Sequence, residues 1–96
     1  MITGKQRAYL RCLGNDLEPI FQIGKGGLSP ELINQLEAAL EARELIKIRI
    51  LKNCPRAVDE VVDEIVHSLG CALVQKIGRN FIVYREALEE PRIRLL

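Results

Sequence analysis

Ile20-Phe21-Gln22-Ile23-Gly24-Lys25-Gly26-Gly27-Leu28-Ser29-Pro30 reads as a short apolar strand, a glycine loop and the opening of a helix. Three glycines in four residues let the backbone take positive φ and come into contact with whatever docks there. Lys25 sits among them. Such a loop leaves backbone N–H groups unpaired and stands at a helix N-terminus, where the first amides and the dipole also favour an anion. Phosphate is the obvious ligand. The competing reading is an ordinary strand-to-helix turn, since glycine-rich connections are common. The rest of the chain decides between the two.

Downstream, Ser29 suits an N-cap and Pro30 the first helical position, because the N–H it lacks has no intrahelical partner. Leu32, Ile33, Leu36, Ala39 and Leu40 then mark the buried face of a helix over residues 30 to 43, with Glu37, Glu41 and Glu44 on or near its outer side. From Leu45 to Leu51 the pattern changes period: Ile46, Ile48 and Ile50 alternate with Lys47 and Arg49, a half-buried strand. A strand–helix–strand unit in one sheet predicts a right-handed crossover and parallel strands. Lys52-Asn53-Cys54-Pro55-Arg56 is a connector, and Val58, Val61, Val62, Ile65, Val66 and Leu69 form the apolar stripe of a third long helix closed by Gly70. Ala72–Ile77 and Phe81–Arg85 are strand-like and joined through Gly78-Arg79-Asn80, residues suited to a hairpin turn.

Upstream, Thr3-Gly4-Lys5-Gln6 fits a capping box. The helix it opens turns Leu10, Leu13 and Leu17 toward a core, projects Lys5, Arg7 and Arg11 elsewhere, and ends at Gly14-Asn15. The order is therefore α-β-α-β-α-β-β, an α/β class domain over residues 1–86 with a mixed four-stranded sheet packed with helices. Residues 87–96, with Pro91, form a tail for which the pattern gives no regular element.

With 96 residues, of which 48% are hydrophobic and 28% charged, the chain supports one small folded domain. No apolar run is long enough to span a bilayer and the N-terminus lacks a signal-peptide core, so the expectation is a cytoplasmic protein with no membrane partner. Cys12, Cys54 and Cys71 are odd in number, far apart and outside any C-x-x-C pair, which argues against a disulfide framework and against a metal site. The net charge of +1 is uninformative, but its distribution is not. Lys47, Arg49, Lys52 and Arg56 fall in a stretch without acid, whereas Asp59, Glu60, Asp63 and Glu64 fall in one without base. Segregated charge lets a near-neutral protein present a basic face to nucleic acid.

The residues for catalysis are missing. The loop is not the Gly-x-x-x-x-Gly-Lys-Ser/Thr of a P-loop, and Gly24-x-Gly26-x-x continues to Ser29 rather than to glycine or alanine, so it is not a dinucleotide fingerprint. His67, the single histidine, falls on the acidic side of the third helix one step of four from Asp63, as a surface residue. The chain is read as a non-enzyme that needs no cofactor and takes no small-molecule substrate. A G-x-x-G loop that clamps RNA backbone, as in KH domains, fits better. With no Trp and only Tyr9, Phe21, Phe81 and Tyr84 as aromatics, backbone grip should outweigh base stacking. The expected RNA contacts are Gly24, Lys25, Gly26 and Gly27, flanked by Lys5, Arg7 and Arg11 of the first helix, with Lys52, Arg56 and Arg79 in second rank. Lys47 and Arg49 carry the alternative that the first helix covers that side of the sheet. A competing function is a protein-interaction module that uses the acidic helices, with the glycine loop a mere turn.

The run from Leu17 to Ser29, followed by Arg43-Glu44-Leu45-Ile46-Lys47-Ile48, resembles the CRM domain (chloroplast RNA splicing and ribosome maturation), and the length is similar to that of the single-domain bacterial YhbY proteins. Thr3-Gly4-Lys5-Gln6-Arg7 to Leu10-Arg11, and Gly78 with Val83-Tyr84-Arg85, fit the same pattern, so the likeness runs to about Arg85. The resemblance implies a fold like the C-terminal domain of translation initiation factor three, RNA binding through the Gly24–Gly27 loop and adjacent basic surface, and association with ribosomal RNA in precursors of the large subunit. A monomer is expected.

Overall fold

The computed structural model describes residues 2–95. Its elements are α1 (Gly4–Gly14), β1 (Phe21–Ile23), α2 (Pro30–Arg43), β2 (Leu45–Ile50), α3 (Val58–Leu69), β3 (Ala72–Ile77) and β4 (Asn80–Tyr84), the order read from the sequence. The capping box forms in full: Gln6 N–H donates to Thr3 Oγ1 at 3.1 Å and Thr3 N–H to Gln6 Oε1 at 2.9 Å. Ser29 caps α2 by accepting from Leu32 N–H at 3.1 Å, and α3 ends at Gly70 with φ +62°.

The strands lie in the order β1-β2-β4-β3. β1 and β2 are parallel, linked through α2, with Phe21 opposite Ile48 and Ile23 opposite Ile50. β4 is antiparallel to both β2 and β3, so the sheet is mixed. One face carries Ile23, Ile46, Ile48, Ile50, Phe81 and Val83 against Leu36 and Leu40 of α2 and Val61, Val62, Ile65 and Leu69 of α3, all buried. The strict alternation of β2 is the cause, since a period of two sends every second isoleucine to the same side.

The opposite face is covered by α1 over a smaller cluster of Leu10, Leu45, Val74, Ile82 and Tyr84. Here one expectation fails. Leu13 is 39% exposed. The helix meets the sheet through Arg7, Leu10 and Gly14, and Gly14 lies so close to Ile82 that a Cβ there would come within 2.7 Å of Ile82 Cδ1. That line of contact runs along the i, i+3, i+7 row beginning at Arg7, which turns Leu13 to the flank.

Residues 85–95 form no helix or strand, yet they are tied down. Ala87 is 3% exposed and Ile93 and Leu95 pack beside the α1 cluster. The anchor is Glu44, fully buried at the C-cap of α2 with φ +67°. Its carboxylate accepts from the backbone N–H groups of Ala87 at 2.8 Å, Arg92 at 2.6 Å and Ile93 at 2.7 Å. Glu41 accepts in the same way from Leu88 and Glu89.

Candidate nucleic-acid interface

β1 and β2, being parallel, finish at the same end of the sheet, and the antiparallel β3–β4 hairpin turns at that end too, since Ile50 N–H donates to Arg79 O at 2.8 Å. Three connections therefore meet there: the glycine loop, the segment from Leu51 to Ala57, and the hairpin turn. Topology alone brings Lys25, Lys52, Arg56 and Arg79 to one end.

The glycine loop is a closed turn. Gly27 N–H donates to Gly24 O at 3.0 Å, and Gly27 takes φ +62°, a left-handed conformation that a side chain disfavours. Gly24 is fixed by crowding instead, because a Cβ there would sit 3.1 Å from Asn53 Oδ1 and 3.3 Å from Leu51 Cδ1. The link is reinforced by Leu51 N–H donating to Ile23 O at 2.8 Å. The tip is open: Lys25 and Gly26 are exposed, a Cβ on Gly26 would meet nothing within 4 Å, and neither of their amides donates to a backbone acceptor among the described residues. A rigid base with two amides that no backbone acceptor occupies and a lysine between them suits a phosphate oxygen. The N-terminus of α2 contributes less than the sequence suggested. Ser29 already occupies the Leu32 amide, Pro30 has no N–H, and Glu31 places a carboxylate in the first turn.

The flanking cations divide into groups. Lys52 is exposed in the turn after β2, with no carboxylate within ion-pair distance among the described residues. Arg79 is half-buried and aims its guanidinium back at the strand, with Nε 3.0 Å from Ile50 O and Nη2 3.0 Å from Leu51 O, so it both knits the hairpin to β2 and brings positive charge to the loop end. Arg56 is turned to α3, paired with Glu64 and at 3.7 Å with Glu60, which holds its pKa above the ordinary value, chiefly through the Glu64 hydrogen bond.

The helix cations do not flank the loop as a group. Arg7 is half-buried and its Nη1 donates to Leu73 O at the start of β3. Leu73 pairs with Val83, and Val83 with Ile46, four residues before Ile50 on β2. At ~3.3 Å per residue Arg7 thus lies about 13 Å along the sheet from the loop end. Lys5, two residues earlier, is exposed beside Tyr9, Arg94 and Leu95. Arg11 is exposed midway. A helix of eleven residues spans most of the sheet, so residues at its two ends cannot serve one loop.

The sheet face supplies what the sequence left open. Lys47 is half-buried beneath the end of α1, its Nζ 3.4 Å from Asn15 O, whereas Arg49, nearer the loop, is exposed. Helix α1 covers the first of this pair and leaves the second bare. The acidic helices are partly neutralised by neighbouring bases: Asp59 by Lys76, Glu60 and Glu64 by Arg56, and Glu37 by Arg85 at 4.0 Å. His67 is exposed, with Nδ1 2.9 Å from Asp63 O. Among the described residues no cluster of His, Cys, Asp or Glu is arranged to hold a metal ion, and no helix is long and apolar enough to cross a membrane.

Residues 2–85 match the CRS1 / YhbY (CRM) domain family. The chain belongs to that family. The chain, a CRM domain for most of its length, is 44% identical over 95 residues, covering 99% of both chains, to the "Probable RNA-binding protein YqeI" of Bacillus subtilis. It is 31% identical over 94 residues, 98% of this chain and 94% of the relative, to an "RNA-binding protein" of Haemophilus influenzae. The solution structure of the hypothetical protein SAV1595 from Staphylococcus aureus has the same fold, with a TM-score of 0.81 at 43% identity over the full length of both chains. In this CRM domain the glycine loop therefore sits on a scaffold shared from end to end with the Staphylococcus aureus protein.

Proposed function

We propose that this protein is a non-catalytic RNA-binding protein that grips the sugar–phosphate backbone at the Gly24–Gly27 loop. Lys25 is the central charge, Lys52 and Arg79 supply positive potential beside it, and Arg11 extends the contact along α1. Lys5 and Arg7 stand outside this grip, Arg7 as a tie between α1 and β3. Arg56 contributes only as the α3 pair yields it. The observation that carries the reading is the loop tip itself, two exposed residues whose amides have no backbone acceptor, one of them a lysine, on a turn locked by Gly24 and Gly27 at the sheet end that Lys52 and Arg79 also occupy. Relatives of similar length bearing the name RNA-binding protein support it.

The target we infer is ribosomal RNA in precursors of the large subunit, in the cytoplasm and by a monomer, as the family likeness implies. Binding should depend steeply on salt, because cations that neutralise phosphates release counterions. In a filter or anisotropy assay with ribosomal RNA, Lys25→Ala should weaken binding and flatten the slope of log K against log salt by about 0.7, the share of one phosphate that is no longer neutralised. Unchanged affinity and slope in a folded Lys25→Ala protein would remove the loop from the mechanism.

A further inference from the structure

Helix α1 ends at Gly14 and leaves one corner of its sheet face uncovered. The corner is a cleft of about 140 Å³ bounded by Asn15, Lys47, Gln75, Ile77, Asn80 and Ile82. Two features set it apart from ordinary surface. The side-chain oxygens Gln75 Oε1 and Asn80 Oδ1 are buried, and neither has a hydrogen-bond partner among the described residues. Beside them Ile77 is 61% exposed on the same face. Buried acceptors without donors cost stability, so the two oxygens are held there at a cost to folding.

Register connects the cleft to the loop. Gln22 on β1 stands opposite Arg49 on β2, Arg49 opposite Asn80 on β4, and Asn80 opposite Ile77 on β3. Their neighbours Ile23, Ile48, Ile50 and Phe81 all point into the core on the α2–α3 side, so these four point to the α1 side as one row across the sheet. Gln22 and Arg49 are exposed. Gln22 is two residues before Gly24, and Asn80 lies two strand spacings away, about 10 Å at ~4.8 Å each. That is the reach of a short run of nucleotides.

We propose that this cleft seats one nucleobase of the RNA strand held by the glycine loop, a reading that rests on RNA binding at that loop. With a rotation of their side chains into the cleft, the amides of Gln75 and Asn80, each with a donor and an acceptor, meet the hydrogen-bonding edge of the base, and oxygens that are buried without a partner gain its N–H groups. Ile77 supplies an apolar wall for the ring. Arg49 and Lys47 sit at the rim, where the phosphates on either side of that base would pass. An anionic small molecule fits poorly because the buried atoms are acceptors. The loop then gives affinity and the cleft gives preference among bases.

The test is anisotropy at one salt concentration with short homopolymeric RNAs of A, C, G and U, on wild type and on Gln75→Leu and Asn80→Ala, with the salt slope taken afterwards on the favoured RNA. Wild type should favour one base, roughly five- to 150-fold over the poorest, the discrimination of one paired base edge. Each variant should lose that preference and keep its salt slope, whereas Lys25→Ala should weaken all four RNAs and keep the preference. Side-chain amide resonances of Gln75 and Asn80 in the unmutated protein give a second reading that does not depend on how the variants fold: they should shift on titration with the favoured RNA. Tight binding with equal affinity for the four RNAs, or with those resonances unmoved, overturns the cleft and spares the loop. Binding to none of them overturns both.

Discussion

The carboxylate of Glu44 and the backbone amide of Ala87 meet at 2.8 Å, joining the C-cap of α2 to a tail 43 residues further along. Glu44 also accepts from Arg92 and Ile93 and keeps φ +67° at a position where helices usually place glycine. A glutamate tolerates that strained conformation here because its side chain satisfies three tail amides at once. Glu44→Ala would leave those amides without a partner, at ~1–3 kcal/mol each for any that stay buried, so a loss of about 3 kcal/mol or more is expected in chemical denaturation. Glu44→Gln, which keeps one acceptor oxygen, should fall between.

The same site sets the acid limit of the tail. Burial pushes the Glu44 carboxyl up, but the amides of Ala87, Ile93 and Arg92, helped by the Arg92 charge, outweigh it and hold the group below its ordinary value of 4.5. A carboxylate whose pKa is lower folded than unfolded adds stability that is fully present above the unfolded value and is lost as pH falls through the folded one. Glu41 is lowered as well, first by the amides of Leu88 and Glu89. The tail amides should therefore stay protected in hydrogen exchange above pH 4.5 and lose protection ahead of the sheet below it. The Glu44→Ala protein should lose the part of this step that Glu44 supplies and keep the part that Glu41 supplies through Leu88 and Glu89.

Arg79 serves both structure and charge, and the two can be separated. Its Nε and Nη2 reach from the hairpin turn to Ile50 O and Leu51 O at the end of β2. Arg79→Lys keeps the charge but lacks the planar fork that meets both carbonyls. It should lose about 0.5–1.5 kcal/mol of stability, the share of the one hydrogen bond that lysine cannot keep, measured by urea titration. Its RNA salt slope should stay near that of wild type, and Arg79→Ala should lose both.

The elements were readable because each announces itself in local chemistry: the Thr3–Gln6 box, the Ser29-Pro30 start, the isoleucine alternation of β2 and the stripe of α3 all became what they predict. The loop was readable too, as glycines concentrated in one turn. What stayed hidden depends on three-dimensional register. Arg7 and Lys25 look equivalent as isolated cations, and only the direction of α1 over the sheet separates them. Gln22, Arg49, Asn80 and Ile77 are scattered through the chain, and only strand pairing puts them in one row. Glu44 reads as an outer-face helix residue by period, and its burial follows from a tail whose sequence has no periodicity.

Gly26 and Gly27 are adjacent and should respond to alanine in opposite ways. A Cβ on Gly26 would meet no protein atom within 4 Å, and its φ is not positive, so Gly26→Ala should fold with unchanged stability. Gly27 sits at φ +62°, where a side chain costs ~1–2 kcal/mol, so Gly27→Ala should lose about that much in thermal or urea unfolding. Binding should separate them further. If the loop tip works by letting a phosphate approach bare backbone, the methyl group of Gly26→Ala stands between that phosphate and the amides, and RNA affinity falls in a protein that melts like wild type. Wild-type affinity in Gly26→Ala would mean that the RNA contact is made by the Lys25 side chain and not by the backbone, and a Lys25→Ala, Gly26→Ala double variant no weaker than Lys25→Ala alone would establish it.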